Sequence, residues 1–418
     1  MRFLYELGIC LYGMLLRLAA LWHPKAAQMV RGRRGWRGAL GRAMQGREGR
    51  VVWFHCASLG EFEQGRPIME AFMQQHPDWR LVVTFFSPSG YNVRRDYELA
   101  EAVLYLPLDT ARNAREFVEL LSPSCAFFVK YEIWRNLLMA LERRGVPTFL
   151  VSARFRHDQL FFRPYGGWYR RLLSCFTRIF VQDDDSWELL RGLGLAERVT
   201  ISGDSRFDRV VAAARRTASL PALEAFAAGH ELLIAGSTWP PDEEHLLPLA
   251  QSLPAGWKLV VAPHEIDGAR IDGWLARAGG GLRYTQLTDN SPLATGRILV
   301  VDTVGILLSV YQYGDLAYIG GGFGVGIHNT LEAAACSIPV LFGPRYEQFL
   351  EADDLIEEGA ALAIHSGEEL RRAALGLMGD GARRRTMGAR AGEYVEGNTG
   401  ASGLVVHDVE KILEQHAV

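Results

Sequence analysis

The sequence predicts an α/β protein of two Rossmann-like, doubly wound parallel sheets facing a cleft, preceded by an N-terminal membrane-associated helix. Three observations carry that expectation. Short apolar strand patterns alternate with helical ones, the βαβ rhythm of parallel sheets. The rhythm pauses over an Ala- and Arg-rich stretch at 208–229 and restarts at Leu232. The first fifty residues are unlike the rest: ten basic against two acidic side chains give +8, so the net charge of -3 leaves -11 for 51–418.

The 418 residues are 49% hydrophobic and 22% charged, which excludes disorder, a coiled coil and a collagen-like repeat. The five cysteines (Cys10, Cys56, Cys125, Cys175 and Cys336) form no CxxC pair. They read as reduced thiols, not as a disulfide framework or a zinc site. Residues 1–50 read as a membrane anchor with a basic juxtamembrane segment. Phe3 to Trp22 is apolar apart from Glu6 and Arg17, and twenty helical residues would reach about 30 Å. Such an anchor either spans the bilayer or lies at its interface; the alternatives are a helix docked on the protein's own body or a cleaved signal. The basic block after it suits anionic headgroups. With only Trp36 as an aromatic and an acidic remainder, nucleic acid is not the expected partner.

Residues 51–207 read as the first Rossmann-like domain, with strands at Val51–His55, Leu81–Phe86, Ala102–Leu106, Ala126–Val129, Thr148–Val151 and Arg178–Val181. Helical patterns fall at Glu63–Gln75, Arg135–Arg144 and Trp187–Leu193. Residues 208–229 read as a linker and 230–418 as the second domain. Its strands are Leu232–Ala235, Lys258–Ala262, Ile298–Val301, Leu316–Ile319 and Pro339–Phe342. Ligands of open α/β sheets bind outside the carboxyl ends of the strands.

The candidate chemistry therefore lies in the strand-end turns. His55-Cys56-Ala57-Ser58-Leu59-Gly60-Glu61 follows the first strand, where small residues allow close backbone approach. Glu61 either completes a helix start or accepts a proton from an incoming hydroxyl. Ser87-Pro88-Ser89-Gly90 binds a polar group or caps a helix. Lys130 is one of only four lysines, beside 41 arginines, and with Glu132 it ends the fourth strand. Arg154 ends the fifth and could reach an anion. In the second half, the Gly236-Ser237-Thr238 turn is a candidate phosphate cradle. His264 ends the next strand. Gly320-Gly321-Gly322 opens a Gly-rich run that reaches His328, Asn329 and a helix with Glu332. The run is neither a Walker A loop nor a first-unit dinucleotide fingerprint.

In order and spacing these pieces resemble the 3-deoxy-D-manno-octulosonic acid (Kdo) transferases of lipopolysaccharide biosynthesis. The matching segments are HCASLGE at 55–61, SPSG at 87–90, YEIW with Asn136, SAR at 152–154, GDSRFD at 203–208, GST at 236–238, Asp302-Thr303 with Gly305, and HN with LEAA at 328–334. The resemblance implies a GT-B-type glycosyltransferase that inverts the anomeric carbon without a metal or cofactor. CMP-Kdo is the implied donor and a lipid A precursor the implied acceptor, at the cytoplasmic face of the inner membrane. It implies Glu61 as general base and a donor site at Ser237, Thr238, His264, Gly322, Asn329 and Glu332. Ser58, Gly60, Ser89, Gly90, Lys130, Glu132, Arg154, Gly321 and His328 are further candidate contacts on their strand-end positions. Two departures stand out: Lys130 replaces the first Glu of a Glu-x-Glu-Leu-Trp-Pro-Asn segment and Arg135 its Pro, so Lys130 is expected to contact an anionic sugar or phosphate. The Gly-rich loop is also longer before His328. Competing readings are a GT-B enzyme with a nucleotide-diphosphate sugar, a sugar-nucleotide epimerase, or a non-catalytic membrane-tethered nucleotide-binding protein.

Overall fold

The computed structural model describes residues 2–46, 48–216, 218–287 and 296–416. The chain forms two compact units, one reaching Asp208 and taking back the chain from Thr399, the other spanning Arg209–Asn398. The first holds strands β1 (Val51–Cys56), β2 (Arg80–Phe85), β3 (Ala100–Tyr105), β4 (Cys125–Val129), β5 (Thr148–Ala153), β6 (Arg178–Val181) and β7 (Val199–Ile201). They form one sheet in the order β3-β2-β1-β4-β5-β6-β7, all parallel. Every residue of β1 is buried because helices cover both faces. Its side chains alternate: Val51 and Trp53 enter one core cluster, Val52, Phe54 and Cys56 the other.

The second unit holds β8 (Glu231–Thr238), β9 (Trp257–Pro263), β10 (Leu282–Arg283), β11 (Ile298–Val300), β12 (Leu316–Ile319), β13 (Val340–Phe342) and β14 (Ala361–Ala363). They too form a parallel sheet, in the order β10-β11-β9-β8-β12-β13-β14. All eleven strands expected from sequence are present; β7, β10 and β14, of two or three residues each, are additional edge strands.

The boundaries differ from those expected. The stretch 208–229 is not a free linker. Helix Pro221–Ala227 buries Leu223 and Phe226, and the Phe226 carbonyl accepts from the buried Lys258 Nζ at 2.7 Å. Nor does the second unit run to the C-terminus. Helix Ala401–His416 inserts Val405, Val406, Val409 and Ile412 into a core of the first unit. Residues 1–50 are likewise part of the first unit. Helix Trp36–Met44 buries Trp36 and Leu40 beside Phe117.

Of the two forms left open for an anchor over Phe3–Trp22, the spanning one does not form: the helix runs Arg2–Ala19, and no helix among the described residues is long and apolar enough to cross a membrane. Glu6 explains the interruption in that segment. Its carboxylate accepts from the backbone N–H of Ala111 at 3.1 Å, at the start of helix Ala111–Leu121, and from Asn136 Nδ2 at 2.8 Å. Tyr5 donates to Asp109 at 2.6 Å. The opposite face leaves Phe3, Leu4, Leu7, Leu11, Met14, Leu15 and Leu18 exposed, a stripe at helical spacing.

Candidate active site

In the first unit the turn after β1 enters helix Leu59–Gln75 through Ser58, whose extended backbone starts the helix. The Ser58 N–H donates to the Glu61 carboxylate at 2.9 Å. Glu61 thus serves as a helix cap, one of the two roles left open by its spacing. Its electrostatics add more than a cap needs. Burial and the neighbouring charge of Glu132 push the Glu61 carboxyl above its ordinary range, against the pull of the Ser58 and Ala57 N–H groups and His55. A carboxylate raised in this way is a better proton acceptor near neutral pH.

Glu132 is itself held from below. His55 is fully buried at the end of β1, with Nδ1 2.9 Å from Thr84 Oγ1 and Nε2 3.0 Å from Glu132 Oε2. Trp134 Nε1 donates to the same Glu132 oxygen at 2.6 Å, and Trp53 Nε1 to Thr84 Oγ1 at 2.9 Å. With its proton on Nε2, His55 satisfies this chain: Trp53 donates to Thr84, Thr84 to His55, and His55 to Glu132. Beside the carboxylates lies a cationic group. Lys130 is half-buried, and burial together with Arg206 and Arg154 pushes its ammonium down, while Glu61 and Asp204 act the other way. Lys130 and Ser152 take left-handed backbone conformations at φ 62° and 52°. Such strain costs about 1–3 kcal/mol per non-glycine residue and gathers at functional sites. Arg154 pairs with Asp183 at 3.1 Å, and Ser89 with Ser87 at 2.6 Å.

In the second unit Ser237 carries the same strain, φ 55°, at the end of β8. Asp242, fully buried, ties the neighbouring turns together. One oxygen accepts from Tyr318 Oη at 2.7 Å; the other accepts from the N–H groups of Trp239 at 2.9 Å and Gly321 at 2.7 Å. Trp239 also donates through Nε1 to His328 Nε2 at 2.8 Å and stacks on His264 at 4.7 Å, which stacks on His328 at 4.4 Å. Burial and the adjacent His264 push the His328 imidazole down, so it serves as a neutral acceptor. Asn329 Nδ2 donates to Glu332 at 3.1 Å.

Two expectations about phosphate binding change here. Helix Pro240–Gln251 begins with Pro240 and Pro241, which have no N–H, and the Trp239 N–H is taken by Asp242. The Gly236–Thr238 turn therefore has no set of free N–H donors at that helix start, and the Thr238 hydroxyl is buried on Glu243 at 3.2 Å. The helix after the Gly-rich loop is one turn, Leu331–Ala334. Several glycines serve packing: a Cβ on Gly322 would lie 2.5 Å from Gly343 Cα, and one on Gly90 2.2 Å from Phe85. Gly322→Ala meets backbone that cannot swing away, and is expected to cost about 1–3 kcal/mol in thermal or denaturant unfolding.

Residues 34–209 match the family model described as 3-deoxy-D-manno-octulosonic-acid transferase (kdotransferase). Three curated relatives carry the name 3-deoxy-D-manno-octulosonic acid transferase. That of Bordetella pertussis is 29% identical over 382 residues, covering 86% of each chain. That of Chlamydia muridarum is 28% identical, covering 85% of this chain and 84% of its own. That of Aquifex aeolicus is 28% identical, covering 77% and 84%. The matches support the Kdo transferase family over most of this chain's length. Its fold is shared more widely. The UDP-GlcNAc 2-epimerase of Neisseria meningitidis, solved with UDP-GlcNAc, superposes with a TM-score of 0.62 at 14% identity, covering 87% of this chain and all of that one. MurG of Acinetobacter baumannii gives 0.57 at 14%, covering 87% and 99%. These likenesses are of fold: the α/β architecture of two doubly wound units that the sequence predicts.

In this chain, similar to the Kdo transferases, the structure gathers Glu61, Lys130, Glu132 and Arg154 at the strand ends of the first unit. It gathers Ser237, His264, Gly321 and His328 around Trp239 and Asp242 in the second. Gly60 is exposed in the first turn of its helix, with open space about its Cα. Sequence reasoning did not single out Trp134, Trp239 or Asp242. Trp134 was visible as the tryptophan two residues after Glu132, and Asp242 as an acid three residues after Trp239, the spacing of a helix cap.

Proposed function

We propose that this chain is an inverting glycosyltransferase that moves Kdo from CMP-Kdo to a hydroxyl of a lipid A precursor, with Glu61 as general base. The observation that carries the reading is the paired carboxylate. Glu132, fixed by His55 and Trp134, raises the proton affinity of Glu61 at the mouth of a strand-end turn. The likeness to Kdo transferases supports the choice of sugar, and the geometry around Glu61 supports the choice of base. The hydroxyl loses its proton to Glu61 as its oxygen attacks the anomeric carbon, and CMP departs with the bonding pair. Lys130, beside Glu61 and flanked by Arg154 and Arg206, supplies positive charge for an anionic sugar carboxylate or phosphate. The donor belongs in this reading to the second unit, where the stack of Trp239, His264 and His328 offers a flat face for a base. The reading assigns neutralisation of charge to these side chains and not to a metal. Incubation with CMP-Kdo or with UDP-N-acetylglucosamine tests it: acceptor-dependent CMP release is expected, and turnover of the UDP-sugar alone would contradict it.

The site of action is proposed to be the cytoplasmic surface of the inner membrane, with the Arg2–Ala19 helix lying at the interface. Its exposed leucines support this, and each would contribute roughly 1.5–3 kcal/mol on entering an apolar phase. Replacing Leu7, Leu11 and Leu15 together by Ser is expected to weaken vesicle binding at least about a hundredfold in cosedimentation, with folding unchanged because none of the three is buried.

A further inference from the structure

Helices Arg2–Ala19, Pro24–Gly32 and Trp36–Met44 line, with the turn after β3, an open cavity of about 360 Å³ in the first unit. Four arginines line it, Arg17, Arg33, Arg34 and Arg37, and no carboxylate does. Arg37 is engaged by Glu116 at 2.6 Å and by Asn113 at 3.0 Å. Arg17 and Arg34 are exposed and form no ion pair among the described residues. Arg33 is different: it is only 9% exposed. It donates to the carbonyls of Met29 at 3.0 Å and Phe86 at 2.7 Å, lies over the rings of Phe86 and Tyr105, and leaves Nε without a hydrogen-bond partner. Burial pushes its guanidinium down to about 10, against the opposing pull of the Tyr12 and Tyr105 phenols.

A guanidinium withdrawn from water with no counter-charge is costly, several kcal/mol before compensation. Its planar fork of donors matches phosphate oxygens. Arg17, Arg33 and Arg34, none of them paired with a carboxylate among the described residues, suit a dianion, hence a phosphate monoester. The apolar half of the ligand follows from the surroundings. Leu16, Val30 and Leu108 share the wall, and the exposed stripe with Leu15 and Leu18 lies on the same helix. The cavity also adjoins the site above: Phe86, held by Arg33, stacks on Trp134 at 4.9 Å, and Trp134 holds Glu132.

We propose that this cavity binds the phosphate monoester of an amphipathic lipid, with Arg33 as its buried donor and Arg34 and Arg17 at its mouth. The full chain is tested by cosedimentation with phosphatidylcholine vesicles alone, with phosphatidic acid, or with phosphatidylglycerol. Phosphatidic acid is expected to strengthen binding at least tenfold beyond phosphatidylglycerol, and inorganic phosphate to erode that gain. Arg33→Gln should abolish the gain. Arg34→Gln, on an exposed side chain, should reduce it several-fold with an unchanged Tm, which guards against misfolding of the first variant. Binding to plain phosphatidylcholine should survive in both. Equal gains from the two anionic lipids, or equal gains in all three proteins, would overturn the proposal.

A second arm separates the two sources of such a phosphate, and it rests on the transferase reading. If the occupant is the acceptor's own phosphate, removing that phosphate raises the wild-type KM and leaves that of Arg33→Gln unmoved. If it is a bilayer lipid, phosphatidic acid in the assay lowers KM for the intact and dephosphorylated acceptors alike. A wild-type chain that transfers no Kdo but still prefers phosphatidic acid would sink the transferase reading and leave this one standing.

Discussion

Glu61→Gln should lower kcat for Kdo transfer about a thousandfold, within the range lost when a general base is removed, while KM for the donor changes little. The amide keeps an oxygen that still accepts the Ser58 N–H, so the helix start should survive and the Tm should stay close to wild type. A companion experiment isolates the electrostatics. A general base at Glu61 would act as the ionised carboxylate, so activity is expected to fall as pH drops through its pKa. Burial and Glu132 raise that pKa, which places the acid limb of the kcat/KM profile above that of an ordinary glutamate. Glu132→Gln removes the like charge and leaves burial in place. The acid limb should move to lower pH, and the weaker base should give a lower plateau. A profile that stays in place would contradict the coupling of the two carboxylates.

The second large effect is expected in the second unit, proposed above to hold the donor. Asp242→Ala removes an acceptor shared by Tyr318 Oη and the N–H groups of Trp239 and Gly321. Each buried donor left alone costs about 1–3 kcal/mol. The three share one site and do not add fully, so a loss of about 3–4 kcal/mol is expected in urea unfolding. Asp242→Asn keeps one acceptor and should lose less. Because Asp242 joins the Trp239 turn to the Gly-rich loop, donor affinity should fall in both variants, and more steeply than acceptor affinity. The unfolding curve separates this from a purely local contact, which would move binding and leave stability alone.

Much of the architecture was legible because buried parallel strands read as short apolar runs. β1, β4 and β12 are buried throughout and visible as such. The three strands that escaped notice are edge pieces too short to show a period. Helix Ala401–His416 shows why boundaries are harder. Its apolar positions announce a helix with a core-facing side, yet a periodicity does not say which core receives it. The same limit governs the N-terminal segment, where Glu6 reads as a flaw in a membrane span until its partners Ala111 and Asn136, over a hundred residues away, are known.

In the site, residue types at strand ends were readable and their pairings were not. His55 and Glu132 meet across 77 positions, and Asp242 and Gly321 across 79. Glu61 could be read as cap or base, and the fold makes it the first while giving it the electrostatics of the second. The phosphate cradle read from the Gly236–Thr238 turn was the weaker inference. Pro240 and Pro241 stood in the sequence and removed the donors on which it depended.

The most direct test of the account is mass spectrometry of the lipid after the wild-type and Glu61→Gln proteins have each been incubated with CMP-Kdo and a lipid A precursor. The account predicts a mass gain of one or more Kdo units with the wild type and almost none with the variant, at equal donor binding. A wild-type protein that leaves the lipid unchanged, or a variant that modifies it at the wild-type rate, would contradict it.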